Sequence, residues 1–170
     1  MTQHDQQIRA LCRALLDAKK TIATAESCTG GGIAKALTEL PGSSAVFLGG
    51  AVTYTDGMKR TLLGVPQELL DAHTAVSAPC AKAMAEGIRE RTGASLAVSA
   101  TGYAGPGGGT EKDPVGTVYI GIASPRACFA ERFSAPAPAP TDATRTEIRE
   151  AVILRALELL LREAEALSEP

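Results

Sequence analysis

The sequence predicts a three-layer α/β/α sandwich with a mixed sheet, folded as a single domain. Three observations carry this. Segments with helical spacing alternate with short apolar runs up to residue 101, the order that places helices on both faces of a largely parallel sheet. Two further apolar runs, Val115–Ala123 and Cys128–Phe133, then follow each other directly, which adds an antiparallel pair. The 170 residues suit one domain, burying roughly 70 % of the surface that the unfolded chain exposes.

The elements follow in order. Residues 6–19 place Ile8, Leu11, Leu15 and Leu16 at helical spacing and end on Lys19 and Lys20, where a helix terminus favours cations. A short strand over 21–25 runs into Glu26-Ser27-Cys28-Thr29-Gly30-Gly31-Gly32, after which Ile33, Ala34, Leu37 and Leu40 form one face of a helix. Pro41-Gly42-Ser43-Ser44 is a turn. Residues 45–54 predict a strand broken or bulged at Gly49-Gly50. Two short helices follow, Met58–Leu63 and one through Leu70, parted by Gly64-Val65-Pro66. Ser77 with Pro79 opens a helix over Cys80–Arg91. Ala94–Thr101 is a buried strand, and a glycine-rich loop over 102–109 leads to the antiparallel pair. The alternating prolines of 134–140 remove donors and favour polyproline geometry, making a stiff connector. Thr141–Leu167 is one long amphipathic helix, or two with a bend.

Composition narrows the function. With a net charge of −2, 4 % aromatic residues and no Trp, the chain has neither a basic field for phosphate backbones nor stacking platforms for bases, so nucleic acid is not an expected partner. No segment reaches the roughly 20 apolar residues that cross a bilayer, and Met1–Gln7 lacks the features of a secretory signal. Cysteines at 12, 28, 80 and 128 form no CxxC pair, and reduced thiols fit a cytoplasmic protein. His4, His73 and these scattered cysteines offer no ligand set, so neither a metal nor a cofactor is expected.

In α/β sheets, sites gather at the carboxyl ends of strands. At the first such end, Ser27 stands where a strand turns into a helix, and amides near Thr29, Gly30 and Gly31 are candidate donors to a developing oxyanion. Ser27 or Thr29 can equally serve only to cap the helix. At the second, the loop from Thr101 through Gly102, Gly105, Gly107 and Gly108 lets backbone approach an anion, although it is not a P-loop. Between them, Thr53–Lys59 puts the Tyr54 phenol at a strand end and the Lys59 amine in the next turn. A lysine close to a serine accepts its proton if desolvation lowers the amine's pKa.

Glu26-Ser27-Cys28-Thr29-Gly30-Gly31, Pro41-Gly42-Ser43-Ser44, Val52-Thr53-Tyr54 with Lys59, Leu63-Gly64-Val65, Ala75-Val76-Ser77, Thr101-Gly102, Ala104-Gly105-Pro106-Gly107-Gly108 and Pro114–Tyr119 together resemble the CinA C-terminal domain family, over roughly residues 8–165. The resemblance implies a nicotinamide-nucleotide amidase that converts nicotinamide mononucleotide to nicotinic acid mononucleotide and ammonia. It places the nucleophile on Ser27, its activating partner on Lys59 and a supporting phenol on Tyr54. The substrate-binding residues fall on Thr101, Gly102, Gly105, Gly107, Gly108 and Arg145, with a second arginine at Arg149. A homo-oligomer is also implied. The chain departs from the family pattern at Thr74 in place of Gly, at Asp113 in place of Lys, and at Ala143-Thr144 in place of Gly-Asp before Arg145. Asp113 is expected to weaken anion binding at the loop. Larger family members carry an N-terminal molybdopterin-binding-like domain, for which 170 residues leave no room. Two rival readings stand beside this one: Cys28 as nucleophile with His73 as base, and a non-catalytic nucleotide-binding module of the same fold.

Overall fold

Large aliphatic residues alternate with small ones along the central strands, and that alternation sorts the helices between the two faces of the sheet. The structure, a computed structural model, describes residues 3–39, 41–135 and 142–167; Leu40, Thr141 and the 136–140 part of the expected connector lie outside them. Five strands, β1 (Ile22–Glu26), β2 (Phe47–Val52), β3 (Leu96–Gly102), β4 (Thr117–Ala123) and β5 (Cys128–Ser134), form one sheet in the order β2-β1-β3-β4-β5. β1 runs parallel to β2 and β3, whereas β4 is antiparallel to both β3 and β5. The sheet is therefore mixed, as expected.

Ile22, Leu96, Val98, Val118, Ile120 and Ile122 pack in one core with α1 (Gln3–Asp17), α2 (Gly32–Thr38) and α6 (Asp142–Ala166). Burying each of these aliphatic side chains contributes roughly 1.5–3 kcal/mol. The residues between them, Ala23, Ala25 and Ala97, belong to a second core with α3 (Asp56–Leu63), α4 (Gln67–His73) and α5 (Ala78–Thr92). Small residues on this second face let α5 come close. The Ser99 hydroxyl donates to the Ala81 carbonyl at 2.6 Å, and a Cβ on Gly121 would lie 2.3 Å from the same oxygen.

Local chemistry places the ends of the elements. The Ser77 side chain accepts from the Cys80 amide and starts α5. In β2, Ile22 pairs with Phe47 and Ala23 with Gly49, so the extra residue of the bulge is Leu48, just ahead of the glycines where it was expected. α6 is one continuous helix. Chain order decides where a ligand site can form. β1 leads through α2, on one face, to β2; β2 leads through α3–α5, on the other, to β3 on the far side of β1. Strand order reverses between β1 and β3, and the crevice outside their carboxyl ends is where such sheets hold ligands.

Thr74, which follows α4, adopts φ 65° and ψ 170°. That region is essentially restricted to glycine, and a β-branched residue held there costs of order 1–3 kcal/mol. The glycine of the resembled family at this position thus has a backbone reason. Thr74→Gly relieves that strain and loses some unfolded-state restriction, for a net gain of about 1 kcal/mol and a Tm rise of about 2–4 °C. Thermal denaturation monitored by circular dichroism checks this; an unchanged or lower Tm would show that the Thr74 conformation is unstrained.

Candidate active site

Ser27 is the first residue beyond β1, and neighbouring strands hold it from both sides. Its amide donates to the Ala100 carbonyl of β3 at 2.9 Å, while the Thr53 amide, beyond β2, donates to the Glu26 carbonyl at 2.7 Å. The turn that follows is fastened by Glu26. This carboxylate is 1 % exposed and accepts from the amides of Gly31, Ile33 and Ala34 at 3.1, 3.0 and 2.8 Å. A carboxylate at a helix N-terminus satisfies orphan donors and complements the dipole. The cap of α2 is therefore Glu26 rather than Ser27 or Thr29, and the Ser27 hydroxyl is left for other partners.

Glu26 also changes the oxyanion expectation. The Gly31 amide is bound to Glu26 and the Gly30 amide donates to the Ser27 carbonyl at 3.0 Å, so neither points a free donor at a substrate. Gly30 instead makes room: its φ is 62°, and a Cβ there would stand 2.7 Å from the Arg149 guanidinium, which donates to the Thr29 carbonyl at 2.6 Å. Thr29 is fully buried, and its hydroxyl has no hydrogen-bond partner among the described residues.

Lys59 arrives from α3. The Thr55 side chain accepts from the Met58 amide and opens the helix, which brings Lys59 round within its first turn. Although charged side chains are rarely buried without a partner, Lys59 is 1 % exposed and no carboxylate pairs with it among the described residues. Its Nζ donates to the Thr53 carbonyl at 3.0 Å and lies 3.3 Å from Ser27 Oγ. A buried amine against a buried hydroxyl is an arrangement suited to proton transfer.

The cleft over this pair has a volume of about 190 Å³ and is also lined by Cys28, Tyr54, Asp56, Thr101, Gly102 and Arg145. Arg145, from the first turns of α6, donates to the Tyr54 hydroxyl at 2.8 Å and to the Gly105 carbonyl at 2.6 Å. Thr101 donates to the Ala75 carbonyl at 2.8 Å. Gly102 has a packing reason to be glycine, since a Cβ would lie 2.4 Å from the Thr117 carbonyl. Gly107 and Gly108 do not line this cleft.

A second cavity of about 430 Å³ lies next to it, lined by His73, Tyr103, Lys112, Asp113 and Tyr119 among others. His73 is therefore not at the cleft that holds Cys28, and the proposed Cys28–His73 pair does not assemble. Burial moreover pushes the Cys28 thiol up to about 12, which keeps it protonated at neutral pH. Asp113 is also elsewhere than expected. Its carboxylate accepts from Tyr119 and from Arg132 Nε, both at 3.0 Å, and so clips the glycine-rich loop to β4 and β5. With Arg132 opposite it and the cleft elsewhere, Asp113 does not present a bare negative charge to a ligand there.

Sequence reasoning missed Glu26 and Asp56. Glu26 directly precedes Ser27 in sequence, but cap preferences favour Ser and Thr over a Glu five residues or more ahead of the amides it caps. Asp56 stands three residues before Lys59, a spacing that puts both on one side of a helix. Among the described residues no three His, Cys, Asp or Glu side chains gather as a metal site, and no helix is long and apolar enough to cross a membrane.

The family model of the CinA C-terminal domain matches residues 4–164. The chain belongs to that family. It is 44 % identical over 161 residues to a CinA-like protein of Parasynechococcus marenigrum, covering 93 % of this chain and 37 % of the relative. It is 46 % identical over 161 residues to a putative competence-damage inducible protein of Symbiobacterium thermophilum, covering 91 % and 37 %. A CinA C-terminal domain of this length thus spans little more than a third of these curated relatives. Among solved structures, the competence/damage inducible protein CihA from Agrobacterium tumefaciens superposes with a TM-score of 0.88 at 40 % identity, over 99 % of this chain and 98 % of that one. A CinA superfamily protein from Klebsiella pneumoniae gives 0.88 at 31 % identity, over 98 % and 99 %. In this CinA C-terminal domain, Thr74 and Asp113 both lie outside the cleft that joins Ser27, Lys59 and Arg145.

Proposed function

We propose that this CinA C-terminal domain hydrolyses the carboxamide of nicotinamide mononucleotide, giving nicotinic acid mononucleotide and ammonia in the cytoplasm. The observation that carries the reading is the 3.3 Å approach of Lys59 Nζ to Ser27 Oγ, inside a cleft at the strand-order reversal and with no carboxylate paired to the amine among the described residues. Ser27 Oγ attacks the carboxamide carbon while its proton passes to Lys59 Nζ. As the C–N bond breaks, that proton goes to the nitrogen, which leaves as ammonia. Water then attacks the acyl ester, its proton returns through Lys59 to Ser27 Oγ, and the acid is released. The Thr53 carbonyl, which accepts from Lys59 Nζ at 3.0 Å, holds the amine beside Ser27 Oγ for this transfer.

With the Gly30 and Gly31 amides occupied, those of Cys28 and Thr29 are the donors left for the tetrahedral oxyanion; a donor in that role is worth on the order of 3 kcal/mol. Tyr54 supports Arg145, which reads the phosphate, and Gly105 holds the same arginine through its carbonyl. Release of ammonia from nicotinamide mononucleotide by the purified protein tests the reading directly. Binding without ammonia over hours would identify a non-catalytic module instead.

The phosphate assignment has its own test. A contact present in ground and transition states alike mainly raises KM when lost. Arg145→Ala raises KM for nicotinamide mononucleotide by roughly tenfold to a hundredfold, the worth of a charge-assisted contact. With nicotinamide riboside, which lacks the phosphate, the loss is much smaller. Steady-state kinetics on both substrates decides; equal losses would make Arg145 a support for Tyr54 and the Gly105 loop.

A further inference from the structure

We propose that Asp56 makes this cleft selective for a pyridine ring that carries positive charge, as an N-ribosylated nicotinamide does, over an otherwise identical neutral ring. The inference rests on the amidase reading for the occupant of the cleft and adds what selects it. Asp56 opens α3 one turn before Lys59 and lines the cleft with Ser27, Lys59 and Arg145. It is the only acidic side chain on that lining, and its carboxylate has neither an ion-pair partner nor a hydrogen bond among the described residues. Capping of α3 does not require it, because the Thr55 hydroxyl already accepts from the Met58 amide.

The charges in the cleft need such a group. Ribose attached at the ring nitrogen gives nicotinamide a fixed positive charge, and the ring must bring its carboxamide to Ser27 beside two basic side chains, Lys59 and Arg145. A carboxylate on the same lining offsets part of that repulsion, and because Asp56 is exposed to solvent the offset is partly screened. A phosphate, by contrast, gains nothing from Asp56 and is drawn to Arg145. The cleft therefore pairs a cation site for the ring with an anion site for the phosphate.

Reduced nicotinamide mononucleotide is the matched probe: it keeps the carboxamide, ribose and phosphate, but its dihydropyridine ring is neutral. In a Ser27→Ala background that stops turnover, calorimetry measures Kd for the oxidised and reduced nucleotides with and without Asp56→Asn. Asp56→Asn weakens the oxidised nucleotide about fivefold, as befits a partly screened charge pair. The reduced nucleotide changes by less than about twofold, and the difference narrows as salt is raised. Equal weakening of both nucleotides, or no change in either, overturns the assignment. Ammonia release by the wild-type chain is scored separately. A chain that turns over but shows no ring-charge preference loses only the role of Asp56, one that prefers the charged ring without releasing ammonia loses only the reaction, and failure to bind either nucleotide overturns both.

Discussion

Ser27→Ala lowers kcat for ammonia release by about three orders of magnitude or more, while Kd for nicotinamide mononucleotide stays within about twofold. The asymmetry follows from what the hydroxyl does. Its bond to the substrate carbon forms only on the way to the transition state, so the ground-state complex does not contain it. The Ser27 backbone, not its side chain, ties β1 to β3, and Glu26 rather than Ser27 caps α2. Removing Oγ therefore leaves the fold and the phosphate contact of Arg145 in place. Single-turnover kinetics and calorimetry on the same preparation make the comparison. A variant that keeps a tenth of wild-type kcat would dismiss Ser27 as the nucleophile, and the water of hydrolysis would then attack the carboxamide directly.

Lys59 gives the second large effect, and two substitutions separate its chemistry from its packing. Lys59→Met and Lys59→Arg each reduce kcat by about a hundredfold to ten-thousandfold, the range a positioned general base supplies. Methionine removes the amine at nearly the same length, whereas guanidinium remains protonated and accepts no proton. Stability distinguishes the two. No carboxylate pairs with Lys59 among the described residues, so Lys59→Met strands no opposite charge there; it leaves the Thr53 carbonyl and the Ser27 hydroxyl without the amine, a change of about 1–3 kcal/mol. A methionine variant that melts near the wild-type temperature yet is inactive supports the base. Near wild-type turnover in the arginine variant would make Lys59 a binding charge.

The layers of this fold were legible because their signals are local. Ile22, Val98 and Ile120 announce one face and Ala23, Ala97 and Gly121 the other by a period of two, and Ser77 with Pro79 starts a helix wherever the chain goes next. The site was legible in part for the same reason: Ser27 and Lys59 each stand at a strand end or in the turn after it. Glu26 escaped because its three amide partners lie five to eight residues on, past a turn whose left-handed glycines bend the helix back onto it. The family's Lys at position 113 made Asp113 look like a lost cation, since nothing near it in sequence foretells Arg132 on the neighbouring hairpin.

What the sequence determined by itself was the order of elements, the mixed sheet and the two strand-end loops, because periodicity, turn residues and caps act over a few residues. Only the tertiary structure decided which of the loop groups meet. Strand order 2-1-3-4-5 sets the ends of β1 and β3 side by side, and the return of α6 across the sheet carries Arg145 to Tyr54 and Gly105. The same packing commits the Gly30 and Gly31 amides to the chain itself, keeps Gly107 and Gly108 off the cleft lining and leaves Asp56 on it unpaired among the described residues. These outcomes depend on long-range burial and on which donors already have acceptors, and both are properties of the assembled core that no short window of sequence contains.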